Sequence, residues 1–180
     1  MLKSFNYKKE ANEYLPRKIK YLLIAESPPK DYRNYFYNVG DEKGNYCFFQ
    51  NIILAALDLK YQPEIHDKKK ILNLFKKKGF QLIDAVEFPI NALDDISRKE
   101  ILIQNKSFLI ERLKVLNQSG LVYPKTKIIF IKNLVSEVLK VFLEANEEIV
   151  FDRLYGIKCI GYPGYYSDQR FLNKLKNIIS

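Results

Sequence analysis

Apolar positions along this chain follow two rhythms. Short runs such as Tyr21-Leu22-Leu23-Ile24-Ala25 and Ile128-Ile129-Phe130-Ile131 hold no polar residue. Such runs read as strands buried on both faces, as in a parallel sheet. The spacing predicts strands over 19–25, 80–88 (closed by Pro89), 126–131 and 157–160. Between them the apolar residues recur at helical spacing. Helices are predicted over 47–59, over 64–79 with Gly79 as the stop, and from Asp94 or Ser97 to Gly120. Two more run from Asn133 to about Glu144 and from an N-cap at Ser167, with Asp168 in its first turn, to the end. Residues 1–18 are mixed and suit a short surface helix.

Strands alternating with helices imply a parallel sheet covered on both faces. The expected fold is α/β: a three-layer α/β/α sandwich around a central, mostly parallel four-stranded sheet. With 180 residues, no linker-like stretch and no repeat, residues 1–180 form one expected domain.

Composition narrows the function. Hydrophobic residues make up 47%, which argues against disorder. No apolar run approaches the ~20 residues of a membrane span. The first residues hold no signal-peptide core, so the expectation is a cytoplasmic protein without membrane contact. Lys+Arg exceed Asp+Glu by 30 to 21, a net charge of +9, and there are 13 Tyr and 12 Phe. Basic charge with aromatic rings suits nucleic acid, which is the expected partner. Two cysteines and one histidine, His66, disfavour a zinc site. No metal and no cofactor are expected. G-x-G-x-x-G, the P-loop, G-x-S-x-G and HExxH are all absent.

Chemistry is then sought where strands end, since open α/β sheets bind ligands at their carboxyl edge. Three clusters follow strands: Glu26 and Ser27 before Pro28-Pro29; Asp84, Glu87 and Asn91; and the 161–170 loop. Asp84 interrupts an apolar run, and an unpaired buried carboxylate is costly, so it must have a partner or face a cleft. The lysines 68–70 and 76–78 read as a solvated helix face.

In this order the motifs resemble those of the uracil-DNA glycosylase superfamily. Ala25-Glu26-Ser27-Pro28-Pro29 stands where that family has a GEAPG- or GQDPYH-type motif. Leu82-Ile83-Asp84-Ala85-Val86-Glu87 takes the place of its LLNAVL-like run. The stretch from Tyr162 to Arg170 keeps the proline, serine and arginine of its last motif. The resemblance spans about residues 19–176. It implies a DNA-binding hydrolase that extrudes a damaged or deaminated base and cuts its N-glycosidic bond. Glu26 and Asp84 would be catalytic. Ser27, Phe36, Phe48, Phe49, Asp84 and Tyr162 would hold the base. Pro163, Gly164, Tyr165, Tyr166, Ser167 and Arg170 would hold the backbone or wedge the duplex. Departures are plain: Ser27, Asp84 and Tyr162 replace the family's Asp, Asn and His. An ionised Asp only accepts hydrogen bonds, which suits an exocyclic amine better than uracil. Two alternatives stand beside this reading: a non-catalytic nucleic-acid binder of the same fold, and an α/β enzyme acting on a small anionic metabolite.

Overall fold

The computed structural model describes residues 7–39, 46–58, 67–144, 158–159 and 169–180. Three strands form the body of the sheet: β1 (Tyr21–Ala25), β2 (Phe80–Asp84) and β3 (Lys127–Phe130). All pair in parallel, with β1 in the centre between β2 and β3. Of the expected fourth strand, the described residues are β4, Lys158–Cys159, alongside β3. The protein is thus a mixed α/β fold on a small parallel sheet, and a full-length fourth strand is not shown among the described residues.

Both faces of the sheet are buried, as the unbroken apolar runs require. On one face Leu23, Leu82 and Ile129 pack with residues of α1 (Tyr7–Glu13), α2 (Tyr46–Leu57), α3 (Lys68–Lys77) and α6 (Gln169–Ile179). On the other, Leu22, Ile24, Ile83 and Ile128 pack with α4 (Asp95–Gln118) and α5 (Asn133–Glu144). Leu22, Leu23 and Ile24 are wholly buried, each contributing roughly 2 kcal/mol of apolar transfer. The N-terminal helix is not the surface element expected: Ala11 and Tyr14 belong to the core.

Caps set the helix ends. The Asp67 carboxylate accepts from the Lys69 N–H to open α3, and Asp94 accepts from the Ser97 N–H to open α4. Gly79 ends the α3 turn with φ of +84°, in the left-handed region that glycine enters without a Cβ clash.

The 80–88 strand is shorter than expected. It ends at Asp84, although Ala85 and Val86 still donate to Ala25 O and Glu26 O. Asp84 therefore sits at the strand's carboxyl end, and Glu87 lies in the following loop. The aromatic run after the prolines folds inward: Tyr35, Phe36 and Tyr37 are 3%, 5% and 1% exposed. The Tyr37 hydroxyl donates to Leu82 O (3.0 Å) and accepts from the Leu82 N–H (2.8 Å), which ties the loop to β2.

Candidate active site

The strand order places the β1 and β2 carboxyl ends beside each other and puts β3 on the far side of β1. The chain leaves β1 toward one side and later returns on the other. Between β1 and β3 a crevice therefore opens, the usual ligand position in such sheets. Glu26 follows β1 directly and Lys132 lies just beyond β3. The Lys132 ammonium donates to Glu26 Oε2 at 2.5 Å across this gap. Arg98, in the first turn of α4, donates through Nη1 to both Glu26 oxygens (3.2 and 3.1 Å) and also pairs with Asp95. Glu26 is only 1% exposed, and two cations with direct hydrogen bonds offset the cost of burying its charge. Arg98 Nε is buried with no hydrogen-bond partner among the described residues.

Asp84 is the second carboxylate of the crevice. Among the described residues it makes no ion pair. Its remaining surface opens into two cavities. One, about 200 Å³, is lined by Glu26, Ser27, Phe36, Asn91, Lys132 and Asp84, among others. The second, about 230 Å³, is lined by Tyr7, Lys8, Pro28, Glu87, Arg112 and Asp84, among others. Tyr35 and Leu82 share with Asp84 the wall between them. Burial pushes the Asp84 carboxyl up to about 7, against the pull of Arg112 and Lys132. Near neutral pH it therefore exists both as donor and as acceptor. Burial also raises the Tyr35 and Tyr37 phenols, so both rings stay neutral.

The residues singled out in the sequence divide into three groups. Glu26, Ser27, Phe36, Asp84 and Asn91 line one cavity. Ser27 turns its hydroxyl to accept from the Ile90 N–H at 3.4 Å. Phe48 and Phe49 fall in the first turn of α2, and Arg170, exposed in the first turn of α6, lines neither cavity among the described residues. Tyr162, Pro163, Gly164, Tyr165, Tyr166 and Ser167 lie outside the described residues.

Three site residues escaped the sequence reading: Arg98, Arg112 and Lys132. Lys132 follows its strand as Glu26 follows β1, so the strand-end rule applied to it equally. Arg98, Asn105 and Arg112 repeat every seven residues, a drift of only ~20° per repeat, and so run along one flank of α4. All three are half-buried. Polar residues at that spacing inside an apolar-periodic helix were the available signal.

A larger hollow, about 720 Å³, lies at the opposite edge of the sheet, among Lys20, Tyr21, Lys77, Lys78, Phe80 and Lys176. No group of three or more His, Cys, Asp or Glu among the described residues is placed to hold a metal ion. No described helix is long and apolar enough to cross a membrane. Comparison with protein-family models, curated proteins and solved structures finds no match to this chain.

Proposed function

We propose that the crevice at the carboxyl edge accepts a single flipped nucleobase and that the protein is a divergent, uracil-DNA glycosylase-like enzyme. The observation that carries this reading is Asp84: a carboxyl raised to about 7 on the wall of a cavity of about 200 Å³. A cavity of about 150 Å³ already holds a benzene ring, so one planar base suits this volume. Phe36 and Ala25 supply apolar wall, and Asp84 and Asn91 supply hydrogen-bonding groups. A group that titrates near the working pH is suited to proton transfer. Asp84 then serves as acid, protonating the leaving base, or as carboxylate, holding an attacking water.

Glu26 takes a different part in this scheme from a free base. Two cations occupy its lone pairs, and its task is to fix Lys132 and Arg98 at the crevice between β1 and β3. Lys132 then supplies positive charge near the reacting centre. The net charge of +9 supports an anionic partner such as DNA.

The test is excision itself. Purified protein is incubated with single- and double-stranded oligonucleotides carrying uracil, hypoxanthine, xanthine or unmodified cytosine and adenine, then treated with alkali. Strand breaks at one base are expected, with Asp84→Asn slower by roughly 100-fold, the low end of general acid–base contributions. No break on any substrate at stoichiometric protein overturns the enzymatic reading and favours the non-catalytic binder. That alternative predicts lesion-independent binding that falls steeply with salt.

A further inference from the structure

The cavity beyond Asp84 holds a cation that forms no ion pair with a described acid. Arg112 is half-buried, lines this cavity of about 230 Å³, and makes no ion pair among the described residues. Its position contrasts with that of Arg98 on the same helix flank, which pairs with Glu26 and Asp95. A guanidinium carries five donors, and no Arg112 nitrogen is buried without a partner, so the donors it leaves unbonded are open to solvent. Lys8 adds a second cation at the rim. The acids nearby answer this charge poorly. Glu87 is exposed at the rim, and Asp84 is drawn toward its neutral form by burial. The phenols are already committed, Tyr7 donating to Pro29 O and Tyr35 to Tyr7 O. What remains is a concave space, walled on one side by Asp84, with donors to spare.

We propose that this cavity is an anion subsite in which Arg112, with Lys8 at the rim, binds a phosphate group, free or esterified, of a ligand whose ring occupies the Glu26 cavity. Arginine meets phosphate with paired donors in one plane, which fixes orientation as well as supplying charge. Asp84, in the shared wall, then lies between ring and phosphate, where the bond joining base to sugar would run. The ring half of this proposal rests on the function proposed above, whereas the anion half stands without it.

Binding separates the two halves. The full chain is titrated by calorimetry with inorganic phosphate, deoxycytidine, deoxycytidine 5′-monophosphate and a short single-stranded oligonucleotide. Arg112→Ala is expected to weaken phosphate and monophosphate binding roughly tenfold, the loss of a charge-assisted hydrogen bond. Deoxycytidine affinity should not change. Arg112→Lys should restore part of the loss, and Lys125→Ala, in the turn before β3, should change nothing. Lys8→Glu provides a reading should Arg112→Ala fail to fold, and it too should weaken phosphate. Unchanged phosphate affinity in Arg112→Ala, or an equal loss in Lys125→Ala, overturns the subsite. Phosphate binding without deoxycytidine binding overturns the ring half alone. A preference for the oligonucleotide over free phosphate identifies the phosphodiester as the source. Arg112-dependent phosphate binding in a protein that excises nothing keeps the subsite and discards the glycosylase.

Discussion

At the carboxyl edge of the sheet, Glu26 is 1% exposed and gathers Arg98 and Lys132 around it. At the amino edge, Lys20, Lys77, Lys78 and Lys176 stand exposed around a hollow more than three times the volume of either cavity. By charge count the amino edge is the more basic and by size the more inviting. Its position explains its lysines differently. The C-terminal ends of α2, α3 and α6 all line it, and a helix C-terminus carries partial negative charge that lysines complement. Its one side-chain ion pair among the described residues, Lys176 to Asp58, joins two exposed groups, an arrangement worth little in water. The carboxyl edge is less basic because carboxylates meet its cations, but Glu26, Asp84 and Arg98 there lie out of bulk solvent and the groups converge from four elements. A net charge of +9 therefore says nothing of where an anionic partner would bind. Desolvation, rather than number, separates the two edges.

Substitutions can break or sharpen this contrast, and the largest effect belongs to Glu26. Replacing both Arg98 and Lys132 with Met strands a buried carboxylate, and roughly 3–5 kcal/mol of stability should disappear in urea unfolding at pH 7. Retained stability would mean that Glu26 is solvated in solution.

Next is Asp84→Asn, which removes the charge and keeps the shape. The folded-state pKa of Asp84 is raised above the unfolded value, so the native protein holds its proton longer. Wild-type stability is therefore unpenalised below about 4 and falls as pH rises from there through about 7. Asp84→Asn should be more stable than wild type at pH 8, by roughly 2 kcal/mol or more, and the two should converge by pH 4. The charged neighbours in this window are Arg112, Lys132, Lys8, Glu26 and Glu87. Parallel stability profiles would remove Asp84 as the titrating group.

At the amino edge the effects are smaller. Gly79→Ala forces a Cβ into left-handed backbone and within 2.9 Å of Lys20 Cγ; the expected loss is roughly 1–2 kcal/mol. Lys176→Met should change stability by less than about 0.5 kcal/mol. A large loss there would show that the amino edge is also held by desolvated charge, and the contrast would fail.

The elements were legible because each is a local pattern. Buried-strand runs, the Asp94 cap and the Gly79 stop depend on neighbours a few residues away. Asp84 was legible as a polar interruption in an apolar run. The partners of Glu26 were not, because Arg98 and Lys132 lie 72 and 106 residues distant, and nothing local marks that pairing. The rings at 35–37 were not placed for a related reason. Phe36 was expected at the base and does line the cavity with Tyr35, yet all three rings also pack in the core. Only their distant contacts with α1 and β2 distinguish the two uses.

The Tyr37 hydroxyl also has a bearing on how this molecule behaves among its copies. β2 is the outer strand of the sheet on its side, and outer strands present unpaired backbone groups to any passing chain. Leu82 is the middle residue of β2, and one phenol already occupies both its N–H and its C=O. A strand arriving from another copy would have to displace a buried ring before forming its first central hydrogen bond. Self-association through this border is thereby obstructed by a side chain supplied from forty-five positions upstream, without a proline in the strand itself.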